Sequence, residues 1–288
     1  MTANPYVDKL HYLGDDLHQT VDELKREDFD YIIDLHHNIR TLRVKSALGK
    51  RAFSFDKLNV EKWLYVNFKW NLLPPVHIVD RYLQTVESFG VRNDEKGLDH
   101  FIPEDQHIKE DDIPATHLAG YIALVIGGAH NTKKYPLQKL ARFCKEIEHP
   151  VMILGGAEDA ESGNRLAEVD NYKIYNACGK FSLNESADLV RRAKLVVTND
   201  TGLMHIAAAF KKPIISLWGN TVPEFGMYPY YGKNFQPAIE NKFEVESLSC
   251  RPCSKIGFDA CPLGHFNCME MITPDLILQK AMEMLRTN

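Results

Sequence analysis

No apolar run in the 288-residue chain approaches the roughly 18 residues of a membrane-spanning helix. The opening segment, Met1-Thr-Ala-Asn-Pro-Tyr-Val-Asp8, is polar and lacks the build of a secretory signal. These two absences make the cytoplasm the expected compartment. Charge of one sign is also scarce. The formal net charge of −5 argues against a general nucleic-acid binder but permits a local basic cleft. Neither G-x-G-x-x-G nor G-x-x-x-x-G-K-[ST] occurs, which weakens the dinucleotide and nucleoside-triphosphatase readings. There is no internal repeat and no low-complexity segment. What remains is the composition of a soluble globular protein, 44% hydrophobic and 25% charged, long enough for two α/β domains.

The most informative stretch runs from Leu195 to Gly219. Residues 195–198 are a short β-branched run, as in a buried parallel strand. Asp200 is a natural N-cap, and Leu203, Ile206, Ala207 and Phe210 predict one buried helical stripe, with His205 off it. Pro213 stops the helix, and residues 214–217 form the next strand. A helix that starts at the carboxyl end of a parallel strand presents free N–H groups and positive dipole to an anion.

Around this stretch strands and helices alternate. Strands are expected at residues 9–13, 31–35, 52–55, 122–126, 151–154 and 173–175. Helices are expected at 61–68 and 78–89, after Pro136, through Leu166-Ala167, after the Ser182–Glu185 capping box, and at 274–285. The acidic, proline-containing segment 91–117 reads as a linker between a domain at 1–116 and a domain at 117–288. Doubly wound sheets bind ligands at the carboxyl ends of their strands, so the loops after Ile126, Leu154, Thr198 and Leu217 should face one cleft. In the first loop Gly127 and Gly128 allow close backbone approach. Thr132 brings a hydroxyl, and Lys133 and Lys134 bring cations that could neutralise a diphosphate, or mark an exposed helix start. Glu158, after Gly155-Gly156, either holds ribose hydroxyls or sits in an ordinary turn. Cys250, Cys253, Cys261 and Cys268 form a C-x2-C-x7-C-x6-C series with His265 nearby. It is either a set of free, redox-capable thiols or a zinc or iron–sulfur site.

Asn199-Asp-Thr-Gly-Leu-Met-His-Ile-Ala-Ala-Ala209 with Pro213-Ile-Ile-Ser-Leu-Trp-Gly-Asn-Thr-Val-Pro223 resembles the signature of glycosyltransferase family 9, the ADP-heptose:lipopolysaccharide heptosyltransferases. Ala129-His-Asn-Thr-Lys-Lys-Tyr-Pro136, Gly156-Ala-Glu158 and Asp34-Leu-His-His-Asn-Ile-Arg-Thr41 are similar to further family segments, and the likeness covers nearly the whole chain. It implies a GT-B fold, two Rossmann-like doubly wound domains facing a cleft. It also implies inverting, metal-independent transfer from an ADP-sugar, without a cofactor, to a phosphorylated lipid-linked saccharide, with peripheral contact at the inner membrane. By the same resemblance Asp200, Thr201, Gly202, Leu203 and His205 contact the donor, Lys133 stabilises the leaving diphosphate and Glu158 holds the ribose. Arg40, Arg43 and Lys45 are candidate contacts for acceptor anions. Family members begin with a strand and glycine turn carrying a catalytic aspartate, which this chain does not show. The N-terminal domain is therefore expected to be incomplete, with an exposed apolar edge and poor turnover, and Asp15, Asp16 and Asp34 are the substitutes for the general base. Two other functions stay open: a nucleotide-sugar binder without catalysis, and a metal or redox module built on the cysteines.

Overall fold

The structure, a computed structural model, describes residues 1–233 and 240–287. The first part contains α1 (Leu17–Arg26), β1 (Tyr31–Asp34), α2 (Ile39–Leu48), β2 (Arg51–Ser54), α3 (Asn59–Phe68) and α4 (Ile78–Gln84). Strands β1 and β2 pair in parallel, with Tyr31 opposite Arg51 and Asp34 opposite Ser54. Asn38 and Thr41 form a capping box at the start of α2, and Gly49, at φ +63°, supplies the left-handed residue that ends it.

Two expectations for this part need correction. Residues 9–13 form no strand; the segment runs unpaired, with Lys9 and His11 against Glu27 at the end of α1. The helix expected over 78–89 stops at Gln84. There the Thr85 hydroxyl donates to the Tyr82 carbonyl at 2.6 Å, and a separate short turn at Glu87–Phe89 closes on Gly90 at φ +79°.

Three single turns, at 104–106, 110–112 and 115–117, lead into the second part. It comprises β3 (Ile122–Val125), α5 (Leu137–Glu146), β4 (Val151–Leu154), α6 (Ala160–Ala167), β5 (Ile174–Asn176), α7 (Leu183–Arg192), β6 (Leu195–Asn199), α8 (Gly202–Ala209), β7 (Ile214–Trp218), β8 (Glu240–Glu244), α9 (Asn267–Glu270) and α10 (Pro274–Thr287). The sheet order is β5-β4-β3-β6-β7-β8 and every pairing is parallel. Strand residues alternate between two cores. Ile122, Leu124, Ile153 and Val197 join Phe143 and Ile277 on one face, while Ala123, Val125, Met152 and Val196 join Leu189 and Ala207 on the other. A parallel sheet covered on both faces produces this pattern of continuous apolar strands. The chain leaves β3 toward one edge and returns through β6 toward the other. The crevice of the sheet therefore opens between the carboxyl ends of β3 and β6.

Helix α8 differs from its expected form in two respects. Thr201, not Asp200, occupies the N-cap position, with no side-chain hydrogen bond to the helix. The buried face is Met204, Ala207 and Ala208, while Leu203, Ile206 and Phe210 are half-buried. The paired small residues Ala207 and Ala208 let the helix pack closely against the sheet, which centres the buried face on Met204, Ala207 and Ala208 and leaves Leu203 and Phe210 packed at its margin.

Contacts tie the two parts together. Ile78 N–H donates to the Gly226 carbonyl at 2.8 Å, an Arg81 amine to Phe225 at 3.2 Å, and Lys69 to Cys250 and Pro252 at 3.2 and 2.8 Å.

Candidate functional site

The loop after β3 and the loop after β6 meet at the crevice, and Asn199 holds them in place. Its buried side chain donates toward the carbonyls of Val125, Ile126 and Gly127 at 3.2–3.4 Å and accepts from Tyr135 N–H at 3.1 Å. Beside it, Lys133 reaches across to Asp200 with an Nζ–Oδ2 distance of 2.7 Å. The Thr221 hydroxyl donates to the same carboxylate oxygen at 2.9 Å. Asp200 thus binds Lys133 and Thr221, which links the loops after β3, β6 and β7. The two charged side chains are 16% and 11% exposed, so they are sheltered but reachable. Just beyond lies the first turn of α8, uncapped by any side chain, with Gly202 exposed. His205 shares this field: burial lowers its pKa, Asp200 opposes the shift and Lys133 adds to it.

Other expected residues have structural duties. The Thr132 hydroxyl donates to the Phe258 carbonyl at 3.0 Å and accepts from Phe258 N–H at 2.8 Å, so it clamps the loop. Lys134 pairs with the buried Asp159 at 2.7 Å, leaving Lys133 as the lysine of this loop beside Asp200. Glu158 is exposed in the turn after β4 and lies over Gly156, where its carboxylate leaves no room for a Cβ. Gly219 is needed for close approach: a Cβ there would sit 2.6 Å from the Thr132 carbonyl. Arg251 is 9% exposed and braces the same corner. It donates to the carbonyls of Gly219 at 2.6 Å and Thr221 at 2.9 Å and pairs with Glu244 at 2.8 Å.

The acceptor-side residues fare differently. Lys45 is spent on Asp34 at 2.7 Å, and Arg40 and Arg43 are exposed on α2. Asp34 is buried. Burial raises its pKa, but Lys45, the N–H groups of His37 and His36 and the Thr41 hydroxyl outweigh that and bring it down to about 2. A carboxylate so fully engaged is a poor base. Asp16 caps α1, accepting from His18 N–H at 2.8 Å, and Asp15 is exposed.

Sequence reasoning missed a cavity of about 350 Å³ between the two parts, lined by His36, Lys57, Lys62, Tyr82, Met227 and Lys255 among others. Burial pushes the Lys62 pKa down to about 8, with Arg81, Lys255 and Lys57 adding repulsion against a weaker pull from Asp56. Among the described residues, Lys57, Lys62 and Lys255 form no ion pair with a carboxylate. His77, another unanticipated residue, is 2% exposed, donates from Nε2 to Tyr228 at 2.8 Å and stacks on Tyr230 at 4.5 Å. Burial lowers its pKa to about 4, against an upward pull from the Tyr228 hydrogen bond, and His205 adds to the lowering. Neither feature has a local motif, since each depends on residues more than 100 positions apart.

The cysteines are free thiols: Cys250, Cys253 and Cys261 are half-buried and Cys268 is buried. Cys250 Sγ lies 3.9 Å from His265 Nε2. Burial and the neighbouring cysteines push both Cys253 and Cys268 up to about 11, favouring protonated thiols. Among the described residues no group of three or more His, Cys, Asp or Glu is placed to hold a metal ion. No helix among them is long and apolar enough to cross a membrane.

Residues 17–253 match the family model described as glycosyltransferase family 9 (heptosyltransferase). A lipooligosaccharide heptosyltransferase 2 of Haemophilus influenzae is 33% identical over 163 residues, 55% of this chain and 44% of that protein. The chain thus spans less than half the length of that relative. A lipopolysaccharide heptosyltransferase 1 of Campylobacter coli is 26% identical over 252 residues, 76% of this chain and 71% of that protein. Among solved structures, a glycosyl transferase family 9 protein of Veillonella parvula superposes with a TM-score of 0.72 at 20% identity, covering 94% of this chain and 78% of that one. At such identities the likeness shows the fold, the GT-B arrangement. With its match over residues 17–253 and that shared fold, the chain belongs to glycosyltransferase family 9.

Proposed function

We propose that the chain transfers heptose from ADP-heptose to a phosphorylated, lipid-linked core saccharide of lipopolysaccharide, with inversion and without a metal. One observation carries this reading: Lys133, Asp200 and the open start of α8 converge at the crevice between β3 and β6. An acceptor hydroxyl oxygen bonds to the anomeric carbon from the face opposite ADP and gives its proton to a general base, while the bond from that carbon to ADP breaks and its electron pair moves onto the diphosphate. Lys133 and the α8 N–H groups stabilise that developing charge in a sheltered site. Asp200 faces the sugar hydroxyls rather than the phosphates, because like charges repel. Glu158, in the turn after β4, takes the ribose. The donor lies on residues 117–288 and the acceptor on residues 1–116, with the lysine-lined cavity receiving an acceptor anion in place of the Arg40, Arg43 and Lys45 contacts. The lipid tail of such an acceptor keeps the protein at the cytoplasmic face of the inner membrane.

Binding without transfer is the second reading. It draws on Asp34, the buried member of the three base candidates, being held by Lys45 at 2.7 Å. Calorimetry with ADP followed by a transfer assay in EDTA separates the two. No ADP binding sinks both; ADP binding without turnover leaves the second. Lys62→Ala is expected to raise the acceptor KM tenfold or more with ADP affinity unchanged. An unchanged acceptor KM would remove the cavity from the acceptor site.

A further inference from the structure

The turn after β1 is held more firmly than a surface loop requires. The buried Asp34 carboxylate accepts the N–H groups of His36 at 3.1 Å and His37 at 2.7 Å. Its other oxygen accepts the Thr41 hydroxyl at 2.9 Å and pairs with Lys45 at 2.7 Å. His37 sits at φ +45°, a left-handed conformation that a non-glycine residue keeps only where its surroundings impose it. The His37 ring is fixed as well, donating from Nδ1 to the Phe55 carbonyl at 2.8 Å. The two neighbouring histidines therefore differ in what they do. His37 belongs to the clamp. The His36 ring is exposed, lines the cavity between the two parts and makes no hydrogen bond among the described residues.

The second-part wall of that cavity is made by the segments that brace the donor crevice. It includes Phe225 and Met227, a few residues beyond the Thr221 that bonds Asp200. It also includes Lys255 and Ile256, just ahead of the Phe258 that clamps Thr132 beside Lys133. His36 meets these segments from the opposite part of the molecule. Of the polar side chains around the cavity, it is the one suited to remove a proton. Lys57, Lys62 and Lys255 present ammonium groups, Asn59 does not titrate, and burial raises the Tyr82 pKa so that its phenol keeps its proton. An imidazole takes up and releases protons near neutral pH.

We propose that His36 is the general base of the transfer. Its unprotonated ring nitrogen takes the proton of the acceptor hydroxyl as that oxygen bonds to the anomeric carbon and ADP leaves with the electron pair of the broken bond. The imidazolium then gives the proton to water. In the empty cavity three lysines repel a forming imidazolium. A seated acceptor anion offsets their charge, so His36 becomes an effective base once the acceptor is bound. That order protects the donor sugar from attack by water.

His36 has this role only if the chain transfers a sugar as proposed above, and the assay separates the two claims. The substrates are ADP-heptose and the de-acylated saccharide of a heptose-free lipopolysaccharide, supplied in EDTA. His36→Gln and His36→Ala should each lower kcat by about 100-fold or more. The acceptor KM, the ADP affinity by calorimetry and the melting temperature should stay as in the parent. Added imidazole should raise the rate of His36→Ala by about tenfold and leave the parent rate unchanged. A parent without turnover refutes the transfer reading, and the role of His36 falls with it. Turnover in the parent with His36→Gln within about threefold of it overturns the base assignment alone. A loss of kcat that imidazole does not rescue, or that comes with lost ADP affinity, marks a structural role and overturns it too.

Discussion

Removing the Lys133 charge gives the sharpest test of the donor site, because the lysine already has a partner. In the structure its ammonium lies 2.7 Å from Asp200. On the proposed donor site, an arriving diphosphate would share a cation that a carboxylate already holds. Lys133→Ala therefore has two costs: it deletes a charge-assisted hydrogen bond, and it leaves the Asp200 charge uncompensated near the phosphates, with only the Thr221 hydroxyl for company. A hydrogen bond to a charged group contributes about 2 kcal/mol, or about 30-fold in Kd. Asp200→Asn acts in the opposite direction. It frees Lys133 and removes the repulsion, so ADP should bind a few-fold more tightly. The double variant should recover part of the Lys133→Ala loss. With an ADP-sugar the sign of Asp200→Asn reverses, since the acceptor for sugar hydroxyls is weakened. Isothermal calorimetry with ADP and with the ADP-sugar measures all four proteins. If Asp200→Asn weakens ADP as much as Lys133→Ala does, the carboxylate supports phosphate binding and the competition reasoning fails.

Three further outcomes are expected. Gly219→Ala places a methyl 2.6 Å from the Thr132 carbonyl and should separate the loops after β3 and β7, weakening ADP about tenfold while costing about 1–3 kcal/mol of stability by urea unfolding. Asp34 titrates near 2 when folded and near 3.9 when unfolded, so it stabilises the protein by about 2–3 kcal/mol above pH 4 and loses that as the pH falls toward 2. The difference in urea stability between the parent and Asp34→Asn should shrink over that window, and a constant difference would contradict the pairing. His77 is lowered to about 4 against about 6.5 unfolded, so its neutral form favours the folded state above pH 6.5 and that advantage drains away as the pH drops to 4. Melting temperatures from pH 7.5 to 4.5 should fall less steeply in His77→Asn than in the parent.

How much could be read from the chain beforehand depended on distance along it. The strand–turn–helix–strand of β6, α8 and β7 was legible because apolar runs, Pro213 and the glycines all act locally. So were the loops after β3 and β4, which follow from strand ends. The helix face was misjudged because a helix between a sheet and α7 is buried wherever small residues permit contact, and the pair Ala207-Ala208 decides that, not the spacing of the larger residues. Asp200 looked like a cap because Asp commonly is one. Its real partners, Lys133 and Thr221, lie 67 and 21 residues away. The lysine-lined cavity and the Arg251 brace were invisible for the same reason: each side chain is ordinary in its own neighbourhood and acquires meaning only when distant segments meet.

That separation bears on how the protein is made. The crevice takes Lys133 from one crossover, Asp200 from another, and Thr221 from the loop after β7. Arg251 and Phe258 then clamp this assembly from further along the chain. On the proposed donor site, a growing polypeptide could not recruit a nucleotide to guide its early collapse, because the clamped crevice is not complete until residue 258 has left the ribosome. Folding must rely on hydrophobic burial alone until late, and parallel strands paired over long loops close slowly. A nucleotide bound at the proposed site would therefore act as a lock on the finished product rather than a template for it. Added nucleotide should slow unfolding while leaving the refolding rate almost unchanged.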